Sequence, residues 1–317
     1  MAGSPGSTDL SIAYDIAETL NDGDKMRILP VVGQSGAQGI KDVLYLRGID
    51  LGITQANILR HYARTGELGA NLPGQVTYVA KLFNEEVHIL ARKDVNDITK
   101  LEGQSVSLGD AGSSTDVTGR LLFQALGINI RPVQLGDNDA IAKLKSGEIA
   151  AAIFIGGKPS PVLANLDGAS ELKVLQIPYA DALENDYYPA TLTHADYPAL
   201  IPEGGNVDTV AVCAVLIAFN WPANTPRARR VARFVDAFFD KFDEFQKAPR
   251  HPKWREVNFA ATLEGWQRSP AAQAWIDRTK AGGAETVARS SFDNFLNETG
   301  QSTAAPNSDA QREKLFS

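Results

Sequence analysis

The sequence contains a single cysteine, so no disulfide bond can form within the chain. Cys213 lies in an apolar run at 210–219, and this setting predicts a buried core residue rather than a nucleophile. The four histidines have no metal-ligand spacing among themselves or with Cys213. Gly-x-Ser-x-Gly, Walker, His-Glu-x-x-His and Cys-x-x-Cys motifs do not occur either. These absences leave no candidate catalytic residue, metal site or cofactor site, and they predict that the protein is not an enzyme.

Basic character and long apolar segments are also scarce. The formal net charge of −7 argues against nucleic acid or an anionic membrane as a partner, because both bind basic surfaces. No segment reaches the roughly 18 uncharged apolar residues that span a bilayer, so we expect no direct membrane insertion. With 317 residues, of which 44% are hydrophobic, the chain is long enough for about two domains with substantial cores.

The most distinctive feature present is a pair of glycine- and serine-rich loops, at 3–8 and 109–115, each followed by the apolar spacing of a helix. Small residues let a ligand approach the backbone, and a helix start offers free N–H donors and partial positive charge. Two such loops predict a ligand held from two sides. The hydroxyl residues expected to contact it are Ser7, Thr8, Ser113, Ser114 and Thr115. The alternative is that these hydroxyls only cap their own helices.

The first loop begins almost at the start of the sequence. Met1 and Ala2 run directly into it, and no signal peptide precedes them. A loop of this type usually follows a strand. We therefore expect that a leader and a first strand have been removed, or alternatively that residues 3–7 are a cloning scar.

Strand and helix patterns alternate along the chain, which predicts an α/β fold with parallel-type sheets covered by helices. The pattern restarts near residue 97, and a long apolar strand at 207–219 returns to the first half. We therefore predict two lobes joined by a hinge. Lobe I comprises 1–94 and 206–317, lobe II comprises 95–205, and the chain crosses between them near 92–97 and 204–209.

Four local predictions can be checked directly. The sequence predicts a strand at 26–32, although Pro30 suits a central strand poorly. It predicts separate strands at 76–83 and 87–91, loops throughout 181–205, and one amphipathic helix at 226–247. The tail from residue 281 is weakly patterned and is expected to cover the surface.

Ordered motifs over nearly the whole chain carry a family resemblance. They are Gly3-Ser-Pro-Gly-Ser-Thr8, Leu29-Pro-Val-Val-Gly33 with Gln34-Ser35-Gly36, Asp50-Leu-Gly-Ile-Thr-Gln55, the stretch 101–115, Phe154-Ile-Gly-Gly-Lys-Pro159, Tyr197-Pro198 and Val207-Asp-Thr-Val-Ala-Val212. In this order they resemble the TAXI-type solute receptors of TRAP transporters. One departure is that an aromatic pair often follows the first glycine loop in that family, where this chain has Asp9 and Leu10.

The resemblance implies a two-lobed, type II periplasmic-binding-protein fold that closes around a solute by hinge motion. It also implies a periplasmic or otherwise extracytoplasmic location and a TRAP membrane permease as partner.

Further candidate ligand-binding residues lie mostly in turns between strands and helices, where open α/β sheets bind ligands. They are Gly33, Gln34, Ser35, Thr54, Gln55, Phe154, Gly156, Gly157, Lys158 and Arg92. Ordinary turns are the alternative for the first five, and core packing is the alternative for Phe154. For Lys158 we expect either an ion pair with an anionic ligand or an exposed position in a loop. Arg92 reaches a ligand carboxylate or pairs on the surface with Asp94 or Glu85.

The helix starts predict a ligand that carries a carboxylate, since they supply donors without acceptors. An acidic amino acid or a small dicarboxylate is the leading class. The predicted function is thus a TAXI-type TRAP receptor for a small organic anion. The alternatives are an ABC-importer receptor for sulfonates or related anions, a deaminase-like or prephenate-dehydratase-like enzyme on the same fold, and a sensor domain that presents its closed form to a signalling protein.

Overall fold

The computed structural model describes residues 1–23, 25–166 and 171–281, and it shows an α/β fold. Met1–Gln273 form one compact unit, and Ala274–Ser317 form a second, of which only the end of the last helix is described. The helices are α1 (Thr8–Leu20), α2 (Ala37–Tyr45), α3 (Ala56–Thr65), α4 (Leu72–Gln75), α5 (Ser114–Ala125), α6 (Asp137–Ser146), α7 (Pro161–Ala164), α8 (Pro226–Asp240), α9 (Phe242–Phe245) and α10 (Pro270–Ala281). None of the helices in these ranges is long and apolar enough to cross a membrane.

The strands form one mixed sheet. They are β1 (Leu51–Gln55), β2 (Val76–Arg92), β3 (Ser105–Ser107), β4 (Arg131–Val133), β5 (Ala151–Gly156), β6 (Leu172–Leu175), β7 (Tyr188–Thr193) and β8 (Asn206–Phe219). Hydrogen-bonded neighbours follow the order β1-β8-β2-β5-β3-β4, with β6 beside β2 and β7 beside β8. β3 runs parallel to β4 and β5, whereas the long strands β2 and β8 pair antiparallel.

The first two residues extend the sheet beside β1. The amino group of Met1 donates to the Leu51 carbonyl at 2.7 Å, and the Ile53 N–H donates to the Met1 carbonyl at 3.2 Å, which is a parallel pattern. Ala2 in turn donates to the Val31 carbonyl at 3.0 Å. Met1 and Ala2 thus lie beside β1, directly before the first glycine loop, at the place where the sequence analysis expects a strand to have been removed.

All four local predictions are wrong, and three of them concern the segments 26–32, 181–205 and 226–247. Residues 26–32 are not a strand, in keeping with Pro30, which has no N–H to donate. The region 181–205 contains β7, because this edge of β8 accepts a further antiparallel partner. The helix predicted at 226–247 ends at Asp240, and Lys241 separates it from the single turn of α9. The tail beyond 281 lies outside the described residues.

β2 is a single strand where the sequence predicts two. The expected break at 84–86 instead pairs with β8, with Glu85 opposite Val212 and Glu86 opposite Ala211. Register shifts between Tyr78 and Ala80 and between Lys81 and Asn84 accommodate irregular pairing without ending the strand.

Separate hydrophobic clusters lie along the β2–β8 pair. One includes Val76 and Val215, and another includes Ile89 and Val210. Leu90 packs into a third cluster on the opposite face of β2. Cys213 is buried in the first of these, which confirms the core position predicted for it. The two long strands are therefore shared by more than one core, and polar residues lie on them between the cores.

An aromatic cluster holds the end of α8 against the following chain. The ring of Phe238 lies 5.3 Å from that of Phe245 and 5.8 Å from that of Trp254, measured between centroids. Phe238 and Trp254 are fully buried. Edge-to-face and tilted aromatic pairs of this kind add to the stability gained from burial alone.

Replacing Phe238 with alanine should lower the free energy of unfolding by about 3–5 kcal/mol, because a large buried ring is exchanged for a cavity. Tyr14→Ala is the control, since Tyr14 is 54% exposed on α1, and we expect a change within about 0.5 kcal/mol. Urea denaturation followed by circular dichroism measures both. Equal effects of the two substitutions would contradict this packing.

Candidate functional site

Loops from the two halves of the chain meet in direct contact. The hydroxyls of Ser35 and Ser114 lie 3.0 Å apart, and the Gly157 N–H donates to the Thr8 hydroxyl at 3.0 Å. Both contacts are buried. We call this region the junction, and it brings together four of the residues singled out in the sequence.

Gly36 allows the closest approach at the junction. Its φ is +69°, a conformation that favours glycine, and a Cβ at this position would lie 2.8 Å from the Ser114 Cα. The Thr54 hydroxyl donates to the Gly36 carbonyl at 3.1 Å and so holds the loop in place. Thr54 therefore supports the junction from the end of β1.

Two of the predicted hydroxyl contacts serve as helix caps. The Ser7 hydroxyl accepts from the Leu10 N–H at 3.3 Å, and the Ser113 hydroxyl accepts from the Asp116 N–H at 3.1 Å. These caps satisfy backbone donors of α1 and α5 and fix where each helix begins. The caps therefore orient the neighbouring Thr8 and Ser114 towards the junction.

A chain of side-chain hydrogen bonds crosses the junction beside the serines. Asn57 donates to the Thr118 hydroxyl at 2.9 Å, and that hydroxyl donates to the Gln55 amide oxygen. Gln55 then donates to the Glu85 carboxylate at 2.6 Å. All four residues are buried. The sequence analysis identified Gln55 as a candidate contact but did not identify Asn57, Glu85 or Thr118, and the last two are distant from Gln55 along the chain.

Two acidic groups, Asp9 and Glu85, face each other next to this chain. Asp9 is 3% exposed in the first turn of α1, and Glu85 is 3% exposed on β2. Burial raises the pKa of Asp9 to about 6, partly offset by hydrogen bonding to Ser35 and Glu85. Burial, and then the charge of Asp9, also raise the pKa of Glu85 well above its usual range. Asp9 entered the sequence analysis only as a departure from a family pattern.

A buried ion pair adjoins the acidic groups. The Lys253 ammonium contacts the Glu86 carboxylate at 2.7 Å and that of Glu256 at 2.8 Å. The Lys158 backbone N–H donates to the other Glu86 oxygen at 2.9 Å. This pair links β2, the Pro252–Glu256 turn and the Gly156–Gly157 loop, and the sequence analysis did not identify it.

The remaining predicted ligand contacts have partners within the protein, some of them in the loops that adjoin the junction. The Arg92 guanidinium pairs with Asp94 at 3.2 Å, at the far end of β2. The Lys158 ammonium donates to the Thr191 carbonyl at 2.7 Å. Phe154 is buried in a hydrophobic cluster. Gly33 donates to the Gly3 carbonyl, Gln34 lies beside Gly112, and Thr115 packs against its own loop at Gly109. Their role in binding a ligand stays a prediction.

A cavity of about 470 Å³ lies outside the junction. It is bounded by α1, α8 and the segment around Leu29, and residues such as Ile16 and Phe234 line it. Its lining comes from the first quarter of the chain and from 216–234, with no residue of the second glycine loop. Within the described ranges, no group of three histidine, cysteine or acidic residues is placed to hold a metal ion.

Comparison with known protein families identifies the family to which the chain belongs. The family model described as the NMT1-like family matches residues 1–269. This protein belongs to the NMT1-like family.

Solved structures with partial likeness to the NMT1-like protein include three of periplasmic proteins. The aliphatic sulphonate binding protein SsuA from Escherichia coli is 17% identical, with 87% of this chain and 81% of that chain covered and a TM-score of 0.46. The periplasmic binding protein BugD is 14% identical, with 94% and 95% covered and a TM-score of 0.49. A structure of a periplasmic transporter is 16% identical, with 88% and 90% covered and a TM-score of 0.49. Likeness of this degree transfers no ligand to the present chain.

The buried acidic groups predict an unusual pH dependence of stability. The pKa of Asp9 is higher in the folded than in the unfolded state, so the folded state holds the proton more tightly. Stability should therefore be greatest below about pH 4 for this group and should fall as pH rises through about 6, by as much as about 3 kcal/mol. Asp9→Asn should remove this fall.

Urea midpoints between pH 4 and pH 8 provide the measurement. Glu203→Gln, which changes an exposed carboxyl group, serves as the control and should keep the wild-type profile. A wild-type profile that Asp9→Asn leaves unchanged would show that Asp9 ionises freely in the folded protein.

Proposed function

We propose that this NMT1-like protein is an extracytoplasmic receptor that binds one small organic acid at the junction and delivers it to a membrane transporter. The observation that carries the proposal is that each glycine- and serine-rich loop contacts a loop from the other half of the chain, Ser114 with Ser35 and Thr8 with Gly157. A ligand with donors and acceptors for both sides would stabilise the closed arrangement through its differential affinity.

The start of α5 supports an acidic group on the ligand. Ser114 lies at the first position of this helix, where backbone N–H groups and the helix dipole favour an anion. Asp116 carries a negative charge nearby, but Arg120 pairs with it at 2.8 Å. Since Arg92 and the Lys158 ammonium have other partners, we propose that hydroxyl and backbone donors hold the acid. An acidic amino acid and a small dicarboxylate are the two leading classes.

The transporter we propose is a TRAP permease, on the basis of the TAXI-like motifs in the sequence. An ABC importer is the competing partner. Solute uptake into liposomes that contain one candidate permease, measured in the presence of this protein, distinguishes a TRAP permease from an ABC importer. Solute uptake that needs a TRAP permease supports the proposal, and uptake through an ABC permease would replace it.

We also propose that the ligand is released unchanged. Incubation of the protein with its tightest ligand, followed by mass spectrometry, should return that compound intact. Turnover at enzyme-like rates, about 1 s⁻¹ or faster, that is lost on changing one junction residue would support an enzyme instead.

The ligand class can be tested in two steps. Mass spectrometry of denatured protein identifies any compound that co-purifies, and calorimetry then measures acidic, neutral and basic metabolites. We expect an organic acid to bind best, and Ser114→Ala to weaken it by about 0.5–1.5 kcal/mol through loss of one hydrogen bond. Tighter binding of a neutral compound without an acidic group would overturn the ligand class.

Closure can be tested with glycine variants. Gly36→Ala introduces a Cβ 2.8 Å from the Ser114 Cα, so the two sides of the junction should separate and the radius of gyration should increase. Gly103→Ala is the matched control, because Gly103 has a φ of +68° and nothing lies within 4 Å of its added Cβ. It carries the same backbone strain without the contact.

Small-angle scattering, with and without the best-binding acid, gives the readout. Wild type should contract on binding, and Gly36→Ala should contract less. Identical profiles for wild type, Gly36→Ala and Gly103→Ala under both conditions would contradict a closing junction.

A further inference from the structure

We propose that Asp9 and Glu85 bind a protonated amino group of the ligand, so that the solute is an amino acid rather than a dicarboxylate. This inference rests on the proposed receptor function and deepens it. It uses residues that were not among the predicted ligand contacts.

The first observation is an unpartnered carboxylate oxygen. Asp9 is 3% exposed, and its Oδ1 has no hydrogen-bond partner among the described residues. Its carboxyl group lies against that of Glu85 and beside the hydroxyl of Ser35. A buried acceptor without a donor costs free energy, more so when it is charged. This oxygen therefore needs a donor at the place where Ser35 meets Ser114.

The second observation is a further acceptor in the same hydrogen-bond chain. Asn57 Oδ1 is also buried and without a partner in the described part of the protein. The donors run in one direction, from Asn57 to Thr118, from Thr118 to Gln55 and from Gln55 to Glu85. The junction thus contains two buried oxygen atoms, Asp9 Oδ1 and Asn57 Oδ1, that accept no hydrogen bond from the described residues. An ammonium group has three donors and no acceptor, and it matches this surplus.

The third observation concerns the nearest cations of the protein itself. The Lys253 ammonium is held by Glu86 at 2.7 Å and Glu256 at 2.8 Å. The Lys158 ammonium is held by the Thr191 carbonyl at 2.7 Å and lies 3.4 Å from Asp196. Within the described ranges neither ammonium group forms an ion pair with Asp9 or Glu85. An amino group that contacts these two acids would therefore belong to another molecule.

The positions of the two charged ends fit one small solute. Ser35 contacts Ser114, at the start of α5, and its side chain also lies beside Asp9. An acid held at α5 and an amino group held at Asp9 would therefore lie on either side of one serine. A dicarboxylate would instead place its second negative group against this acidic pair, and any charge that the pair carries repels it.

Calorimetry on matched pairs tests the proposal in the wild-type protein. The pairs are L-glutamate with glutarate and L-aspartate with succinate, which differ in the amino group. We expect the better-binding amino acid to exceed its amine-free partner roughly tenfold to hundredfold in affinity, the range for a hydrogen-bonded charge. Asp9→Asn and Glu85→Gln should each reduce that ratio to about threefold or less, while Glu203→Gln leaves it unchanged.

A minimal probe separates this inference from the receptor function. Thermal melting in methylammonium chloride, compared with potassium chloride, should show a higher Tm for wild type and no difference for Asp9→Asn. Equal binding within each pair would overturn the amino-group site and leave an organic-acid receptor. If no acid binds but methylammonium stabilises wild type selectively, the amino-group site stands and the acid receptor fails. If neither effect appears, both fail.

Discussion

The pairing of β2 with β8 is the constraint on which the rest of this structure depends. These two strands run through separate hydrophobic clusters, and the polar residues of the site lie between those clusters. Glu85 and Glu86 are buried there only because the strand continues through them. Their carboxylates reach Gln55 on one side and Lys253 and the Lys158 backbone on the other. A break in β2 at this point would separate the acidic groups from the loops that meet at the junction.

Burial of the three acidic side chains Asp9, Glu85 and Glu86 in one region costs folding free energy. The partners that offset this cost differ from one side chain to the next. Glu86 has a full ion pair with Lys253, whereas Glu85 receives an amide hydrogen bond and faces another acid. Removing one partner from a buried ion pair is strongly destabilising, so the Glu86–Lys253 pair fixes the arrangement around it. The pair formed by Asp9 and Glu85 is incompletely compensated. Clusters of buried groups with strongly shifted pKa values are typical of ligand sites.

Local patterns in the sequence were sufficient for much of the architecture. The starts of α1 and α5 follow from Ser7 and Ser113, because an N-cap is read from adjacent residues. The continuity of β2 could not be predicted in the same way. Acidic residues at 85 and 86 interrupt an apolar run, and only their partners, Gln55 and Lys253, show why the strand tolerates them.

The candidate site was predictable to a similar extent. Ser35 and Ser114 were separate candidates in the sequence, and the structure brings them together, whereas Asn57 and Thr118 carry no local signal of their contact. For Arg92 the sequence left two partners open, a ligand carboxylate or a surface pair with Asp94 or Glu85. The structure has the pair with Asp94 at 3.2 Å, and a role of Arg92 in binding a ligand stays a prediction.

The central claim is that the solute binds at the junction, where Ser35 meets Ser114 and Thr8 meets Gly157. A crystal structure of the protein with its co-purifying or best-binding compound tests this most directly. The account predicts that the compound contacts Ser35 or Ser114 and lies within hydrogen-bonding distance of Asp9. A compound bound only in the cavity of about 470 Å³ between α1 and α8, without contact to Ser35, Ser114 or Asp9, would contradict it.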